Sequence, residues 1–264
     1  MKRFLMCEPK FFEVCYVINP WMEGNLGKVD KKLAKQQWEN LYGIVSGLAS
    51  VSLIEPVAGL PDMVFTANAG LVKNNEVIVS SFRHAERQGE AEHFQKFFAS
   101  QGYRVLRLRE GTIFEGAGDA LFDSLGRLWF GSGIRSASHA RDEIVAALHV
   151  EVHALELIDT HWYHLDTAFC PLPQGQAISY EKAFSRKSVA ALNDAFGENI
   201  VWVSESDAKN FACNAISIDQ SVIMHKASAE LKFVLKQRGY EVIEVDVSEF
   251  LKSGGSCKCL TLEI

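Results

Sequence analysis

Apolar residues recur along this chain with two spacings, one typical of helices and the other of short strands. Between residues 31 and 48 they recur every three or four positions, which predicts an amphipathic helix over Lys31–Leu48. The same spacing predicts helices over residues 85–100, 137–148, 184–196 and 227–238. Gly102 and Gly239 follow two of these segments, as helix C-caps do.

Short runs of β-branched and aromatic residues separate these helices and predict strands. The runs cover residues 14–18, 51–54, 64–72, 77–80, 104–108, 120–122, 128–130, 153–157, 176–179, 200–203, 215–218, 222–224, 241–245 and 258–262. Residues 74–75 and 123–126 have the composition of hairpin turns. A strand–hairpin–helix–strand unit recurs about every ~50 residues, which predicts an α/β fold built from repeated modules.

Composition narrows the classes of function. The chain has 264 residues, 48% of them hydrophobic, and a formal net charge of −6. Since no run of Lys or Arg is present, nucleic acid is not an expected partner, whereas an acidic balance is compatible with a cationic substrate. No stretch approaches the ~20 apolar residues of a membrane span, and Glu8 and Pro9 interrupt the apolar start, which is unlike a signal peptide. Six scattered cysteines suit a reducing compartment, so we expect a cytoplasmic protein without a membrane partner.

Two thiols follow a glycine pair near the end of the chain. Gly254 and Gly255 permit a sharp turn, and a strand starting after it places Cys257 and Cys259 on one face, with Lys258 on the other. The spacing is not that of a zinc site, so we expect no metal. Either thiol is a candidate nucleophile at this stage, and a pair of buried core thiols is the alternative.

An imidazole and several carboxylates are candidate partners of the thiol. In a strand, His164 and Asp166 would share one face, and the pair would suit acid–base work beside a cation. Glu115 and Asp119 flank a Gly-Ala-Gly turn that permits close approach of a planar ligand, and a carboxylate accepts two parallel hydrogen bonds from a guanidinium. A core histidine and a capped surface turn are the alternatives. Three arginines are candidates to bind a substrate carboxylate: Arg83, Arg87 and Arg135.

Four motifs occur in the order found in a known superfamily. They are Pro-Asp-Met-Val-Phe-Thr-Ala-Asn at residues 61–68, Phe-Glu-Gly at 114–116, His-Leu-Asp-Thr at 164–167 and Gly-Gly followed by Cys-Leu-Thr at 254–261. With the opening Met-Cys-Glu-Pro and Ile-Asn-Pro-Trp-Met segments, this order resembles the guanidino-group modifying enzymes, or penteins. The resemblance covers nearly the whole chain and is to the compact, dimethylargininase-like branch, close to arginine dihydrolase.

The resemblance implies a fold and a set of roles. The fold would be a five-bladed, pseudo-symmetric α/β propeller of ββαβ modules, with residues 1–264 as one catalytic domain. Cys259, which is followed by Leu260 and Thr261 as the family nucleophile is by a hydrophobic residue and Thr, would attack the substrate. The other implied residues are His164 as general acid and base, Glu115 and Asp166 on the guanidinium, Arg87 (with Arg83 as second choice) and Arg135 on the substrate carboxylate, and Asn68, Asn19 and Asp119 as further substrate-binding residues.

The implied activity is hydrolysis at the guanidinium carbon of arginine or a close derivative. It would proceed through an S-amidino cysteine without a cofactor, giving citrulline or ornithine plus ammonia. Asn68 departs from arginine deiminases, which have Asp there. A dimethylarginine dimethylaminohydrolase, an amidinotransferase and an inactive arginine-binding relative are the alternatives, and a homo-oligomer is left open.

Overall fold

A computed structural model describes residues 2–264. Within them, the strands are β1 Arg3–Cys7, β2 Ser50–Ile54, β3 Gly70–Lys73, β4 Glu76–Val79, β5 Arg104–Leu106, β6 Ala120–Phe122, β7 Leu128–Ser132, β8 Val152–Glu156, β9 Phe169–Leu172, β10 Gln176–Ser179, β11 Ile200–Trp202, β12 Ile216–Ile218, β13 Ser221–Met224, β14 Glu241–Glu244 and β15 Leu262–Glu263. The α-helices are α1 Lys31–Leu48, α2 Ala85–Gln88, α3 Glu90–Ser100, α4 Ala140–Leu148, α5 Leu165–Ala168, α6 Arg186–Phe196, α7 Glu205–Lys209, α8 Ala229–Gln237 and α9 Ser248–Leu251.

The strands form five three-stranded sheets of one design within residues 2–264. Their strand orders are β3-β4-β5, β6-β7-β8, β9-β10-β11, β12-β13-β14 and β15-β1-β2. In each sheet the middle strand pairs antiparallel with one neighbour and parallel with the other. The antiparallel pairs within the first four sheets are hairpins, whereas each parallel pair is joined through a helix, because parallel neighbours need a crossover connection. Both predicted hairpins are confirmed.

The first strand of each module faces a common axis. A cavity of about 840 Å³ lies there, and each of the five sheets lines it with this inner strand. The lining includes Leu71 of β3, Leu121 of β6, Cys170 of β9, Ile216 of β12 and Leu262 of β15. The hairpin turns after the inner strands also line this cavity, so it extends toward that end of the axis. The predicted five-bladed α/β propeller is therefore confirmed.

The fifth module joins the two ends of the described chain. β15 pairs antiparallel with β1, opposing Leu262 to Leu5, and β1 pairs parallel with β2. Leu5 and Leu262 are buried in one apolar cluster together with residues of the neighbouring module. Closure of the ring therefore depends on a contact between residues more than 250 positions apart.

The helix predictions were close. The helix over Lys31–Leu48 has the predicted bounds, with the Asp30 carboxylate accepting from two backbone amides of its first turn. The helix predicted over 85–100 is divided at Gly89 into α2 and α3, and the other three begin two or three residues later than predicted. No helix within residues 2–264 is long and apolar enough to cross a membrane.

Three strand predictions were wrong, and two strands were not predicted. Residues 14–18 contain no strand, and most of residues 64–72 forms 3-10 turns over Pro61–Val64 and Thr66–Ala69. Residues 258–261 also form a turn, which leaves only the two residues of β15. The last two of these segments are loops before inner strands, and their backbone groups bond to each other, as when Ala67 N–H donates to the Cys259 carbonyl at 3.1 Å. β1 and β9 had not been predicted.

Candidate active site

All five modules contribute polar side chains to one end of the axis. Each contribution comes from the loop just before an inner strand, so the side chains converge although they are far apart in sequence. Each is at most 3% exposed. They are Asn68 before β3, Glu115 and Asp119 before β6, His164 and Asp166 before β9, Asn214 before β12 and Cys259 before β15.

The Cys259 thiol contacts an amide and a carboxylate. Its Sγ donates to Asp166 Oδ2 at 3.3 Å and accepts from Asn214 Nδ2 at 3.1 Å, while the Cys259 backbone N–H donates to Asn214 Oδ1 at 3.1 Å. The expectation that Cys257 and Cys259 share one strand face is wrong, because the segment is a turn. The Cys257 sulfur makes no hydrogen bond to any of these site groups. The structure therefore distinguishes the two thiols by their surroundings.

Burial raises the pKa of both the thiol and its carboxylate partner in this state. Burial, and then the charge of Asp166, raise the pKa of Cys259 well above its usual value. Burial raises the pKa of Asp166 to about 6, against the opposing effect of Lys258 and of hydrogen bonds from Cys259 and Asn214. Asp166 Oδ1 is fully buried and has no hydrogen-bond partner among residues 2–264. A cationic hydrogen-bond donor placed here would relieve both groups.

The imidazole faces a different carboxylate from the one that the sequence predicted. His164 is the residue before α5 rather than part of a strand, so the expectation that it shares a strand face with Asp166 is wrong. Its Nε2 lies 2.6 Å from Glu115 Oε2. A Cβ on Gly118 would lie 3.3 Å from the His164 ring and 2.3 Å from Asn68 Nδ2, so only glycine lets the backbone pass this close.

Glu115 is the most strongly bonded acid of the site. Besides His164, it accepts from Arg135 Nη1 at 3.0 Å and from the Arg83 backbone N–H at 3.0 Å. Burial alone would raise its pKa, but the charges of Arg135 and His164 and the His164 hydrogen bond outweigh burial and hold the pKa well below its usual range. Glu115 is therefore a fixed anion beside the imidazole.

Asp119 supports the helix that follows His164. It accepts from the Ser136 hydroxyl at 2.6 Å, from the Ser136 backbone N–H at 3.2 Å and from the Leu165 N–H at 3.0 Å. Burial raises its pKa to about 6. These bonds hold the start of α5, and a direct contact of Asp119 with substrate stays a prediction.

The arginines are bonded to groups of the protein itself. Arg87 is 4% exposed, forms a bidentate pair with Glu90 at 2.8 and 2.9 Å, and donates to Asn68 Oδ1 at 2.9 Å. Arg135 donates to Glu115 and to the Ile18 carbonyl, and Arg83 Nε donates to the Arg135 carbonyl at 3.0 Å. Binding of a substrate carboxylate by any of the three stays a prediction.

Asn19 connects the first loop of the chain to the thiol loop. Its Oδ1 accepts from the Trp21 N–H at 3.0 Å, which caps a 3-10 turn, and its Nδ2 donates to the Ser253 carbonyl at 3.0 Å. Gly254 has φ +80, and a Cβ there would meet Asn19 Oδ1 at 2.9 Å. Its role toward substrate stays a prediction.

The sequence analysis missed several residues that surround the thiol. Asn214 bonds to Cys259 and also donates to the Asp166 carbonyl at 3.0 Å, and the Tyr163 hydroxyl donates to the Gly254 carbonyl at 2.7 Å. Asp62 accepts from Tyr16 and Ser253. One signal for Asn214 was present: it lies just before the first strand of the fourth module, as the other site residues do in theirs.

The site has the arrangement of the guanidino-group modifying enzymes. A buried thiol, an imidazole and carboxylates lie at one end of a five-module propeller. A sequence profile described as N,N dimethylarginine dimethylhydrolase, eukaryotic, matches residues 26–264. The chain belongs to this family.

Similar proteins are known by sequence and by structure. The chain is 47% identical over 99% of its length to the bifunctional arginine dihydrolase/ornithine cyclodeaminase AgrE of Nostoc sp., and spans 38% of the length of that relative. It is 41% identical to N(G),N(G)-dimethylarginine dimethylaminohydrolase of Mycobacterium tuberculosis, covering 100% of this chain and 86% of that one.

The N-terminal domain of ArgZ, a cyanobacterial arginine dihydrolase, has been solved bound to substrate. It matches with a TM-score of 0.99 and 46% identity, covering 100% of this chain and 98% of that chain. A variant of ArgZ's N-terminal domain, covalently bound to a reaction intermediate, matches with the same TM-score and identity, covering 100% and 97%.

Proposed function

We propose that this chain hydrolyses the guanidinium group of arginine through a covalent intermediate on Cys259. One observation carries the proposal: a buried thiol lies 3.3 Å from a buried carboxylate whose second oxygen, Asp166 Oδ1, has no partner among residues 2–264. A guanidinium supplies the missing N–H donors and the positive charge. Glu115 is the second anion of the site and contributes to holding the cation.

The chemistry follows from this arrangement. Bound guanidinium lowers the pKa of the thiol, and the thiolate attacks the guanidinium carbon to form a C–S bond. His164 protonates the departing amine, ammonia leaves, and an S-amidino intermediate remains. His164 then removes a proton from water, which attacks the same carbon, so the C–S bond breaks and citrulline is released. A second hydrolysis gives ornithine, ammonia and carbon dioxide.

Dihydrolase activity is favoured by the similarity to AgrE and to the ArgZ domain. Hydrolysis of dimethylarginine is the second candidate, because a relative with that name is 41% identical over the whole chain. In that reaction a methylamine leaves instead of the first ammonia. The six free cysteines support a cytoplasmic location, and we take the chain as one catalytic domain.

A substrate panel tests the proposal. The protein is incubated with arginine, methylated arginines, agmatine and guanidine, without an amine acceptor, and citrulline, ornithine, ammonia and amines are quantified. We expect ornithine and two ammonia per arginine. Methylamine release would select the second candidate, and a requirement for an amine acceptor would indicate an amidinotransferase. Failure to turn over any guanidine, with no covalent labelling by 2-chloroacetamidine in mass spectra, would refute the proposal.

A further inference from the structure

Asn214 is the residue through which the fourth module contacts the nucleophile. It lies just before β12 and is fully buried. A turn that includes Phe211 precedes it, and the Asn214 backbone N–H donates to the Phe211 carbonyl at 2.9 Å. The Asn214 carbonyl accepts from the Lys258 backbone N–H at 3.2 Å. The backbone of Asn214 is therefore bonded both to its own loop and to the loop of the thiol, which fixes the position from which its side chain extends.

The partners of the Asn214 side chain determine which end of its amide faces the sulfur. The Cys259 backbone N–H can only donate, so the side-chain oxygen must face it, and the two atoms lie 3.1 Å apart. The Asp166 carbonyl can only accept, so the side-chain nitrogen must face it, at 3.0 Å. The same nitrogen lies 3.1 Å from Cys259 Sγ. An N–H group, rather than a lone pair, is therefore directed at the sulfur.

An N–H group directed at sulfur favours the thiolate over the thiol. A neutral thiol is a weak acceptor, and a hydrogen bond to a charged acceptor is stronger, so this bond strengthens when the sulfur ionises. The Asn214 side chain and the Ser256 backbone N–H both lower the pKa of Cys259, although burial and the charge of Asp166 together outweigh them. Because the amide is already held by its other partners, it needs no rearrangement when the charge develops.

The titratable groups around the thiol are engaged elsewhere or act in the opposite direction. Asp166 Oδ2 accepts from the thiol at 3.3 Å, and once both groups are ionised it repels the thiolate. The Tyr163 hydroxyl and the Lys258 ammonium each donate to a backbone carbonyl, at 2.7 and 3.3 Å. His164 Nε2 lies 2.6 Å from Glu115. Among residues 2–264, the amide is the side-chain donor that is hydrogen-bonded to the sulfur.

We propose that Asn214 is a catalytic residue whose side-chain N–H stabilises the thiolate of Cys259. This inference rests on the proposed function, because it concerns the sulfur that attacks the guanidinium carbon. The hydrogen bond acts twice in that reaction. It stabilises the thiolate before attack, and it stabilises the same thiolate as the leaving group when water has added and the C–S bond breaks. In the S-amidino intermediate the sulfur carries no negative charge, so the bond is weaker there.

Two variants separate this hydrogen bond from the other bonds of the amide. Asn214→Leu has a similar shape and loses the N–H without adding a charge. Asn214→Asp keeps the oxygen that accepts from the Cys259 backbone N–H but places a second oxygen toward the sulfur. The control is Asn193→Asp, which makes the same change at an exposed position of α6 and keeps the oxygen that accepts from Trp202 Nε1.

The rate at which 2-chloroacetamidine labels Cys259 is measured between pH 5 and 10 for the parent and the three variants. Trypsin cleaves after Lys258 and so separates Cys259 from Cys257, which lets mass spectra of the peptides follow the nucleophile by itself. This readout does not depend on turnover. The kcat and KM for arginine are measured in parallel, and circular dichroism checks that each variant is folded.

We expect the pH midpoint of labelling to rise by roughly one unit or more in both Asn214 variants, which is about a tenfold loss of rate below both midpoints, with Asn193→Asp unchanged. A rise in Asn214→Leu alone would show that the amide only holds the turn, and a rise in Asn214→Asp alone would show an effect of added charge. Either result overturns the inference, and an unmoved midpoint in Asn214→Asp does so even if Asn214→Leu does not fold. A parent that is not labelled and turns over no guanidine would overturn the proposed function, and this inference with it.

Discussion

At the scale of single residues, the contact between Cys259 and Asp166 joins two groups whose ionised forms are disfavoured by burial. Both groups are buried, and burial raises the pKa of each, so the free site holds a thiol and a carboxyl that resist ionisation. Such sites lower the stability of the free protein, and substrate binding can restore it. A guanidinium is suited to this site because its positive charge favours the ionised form of both groups.

The thiol assignment predicts different outcomes for two neighbouring cysteines. Cys259→Ser abolishes turnover and covalent trapping, a loss of roughly a thousandfold or more, because the attacking sulfur is gone. Cys257→Ser keeps most of both activities, since its sulfur makes no hydrogen bond to the site groups. Steady-state kinetics and intact-protein mass spectra after 2-chloroacetamidine check this. Equal loss in the two variants would show that the assignment is unsound.

Asp166→Asn is predicted to stabilise the fold at neutral pH while removing activity. A folded-state pKa of about 6, raised from 3.8, means that the native carboxyl holds its proton more tightly than the unfolded one. Its contribution to stability is therefore full below about pH 4 and is lost as pH rises through 6. The variant avoids this loss and gains roughly 1–3 kcal/mol in free energy of unfolding at pH 7.5.

Urea unfolding at pH 5.0 and 7.5 measures the effect, and the gain should be smaller at the lower pH. Asp194→Asn, at an exposed position of α6, is the control and should show no such pH dependence. A gain that is the same at both pH values would contradict the assigned cause.

Asn68 is placed to influence the end product. Its Oδ1 accepts from Arg87, and its Nδ2 donates to the Glu115 carbonyl at 3.0 Å. Asn68→Asp keeps the first bond and loses the second, which alters the support of Glu115 and brings the site closer to that of arginine deiminases. We expect a shift of product from ornithine toward citrulline, measured by chromatography. An unchanged ratio at undiminished turnover would count against this role.

At the scale of elements, the loop before β6 contains a glycine at a position where a larger residue would clash with its neighbours. Gly118→Ala would place a methyl group 2.3 Å from the Asn68 amide nitrogen and 3.3 Å from the His164 ring, so the amide must shift and the imidazole must adjust slightly. We expect kcat/KM to fall by roughly a hundredfold with the fold retained, as for a displacement of about 1 Å in a site.

Gly43→Ala in α1 is the matched control, because a methyl group there meets nothing within 4 Å. It should leave kcat/KM unchanged and raise stability by roughly 0.5–1 kcal/mol through helix propensity. Kinetics with circular dichroism on both variants tests the pair. Full activity in Gly118→Ala would mean that the loop has room that the structure does not show.

Helices, hairpins and site loops differ in how far the sequence predicts them. α1 was predicted with its observed bounds because its apolar period is local, and the Asp30 cap that the structure adds is local as well. The hairpin at residues 74–75 was predicted for the same reason, since Asn74 accepts the positive φ of 54 that the turn needs. The site loops were not predicted. Their buried apolar residues have the sequence pattern of strands, whereas their backbone groups bond to other modules. The His164–Glu115 contact likewise depends on module packing that no local pattern contains.

At the scale of the whole molecule, the ring is closed by the pairing of β15 with β1. Leu262→Ala removes a side chain that is 1% exposed at this seam and is expected to cost roughly 2–5 kcal/mol in free energy of unfolding. The neighbouring change Glu263→Ala removes only an exposed ion pair with Lys2 and should cost about 1 kcal/mol or less. Urea unfolding measures the free energy of unfolding of both variants. Equal losses would show that the pairing of β15 with β1 makes no special contribution to stability.

The seam also has a consequence for how the protein is made on the ribosome. β1 emerges early, but its partner β15 is synthesised about 255 residues later, which at 5–20 residues per second is a delay of roughly 13–50 s. During this interval the exposed edge of β1 is open to pairing with other nascent chains. Because Cys259 is made after Asn68, Glu115 and His164, a prematurely terminated chain would carry these groups without the nucleophile and would be catalytically silent.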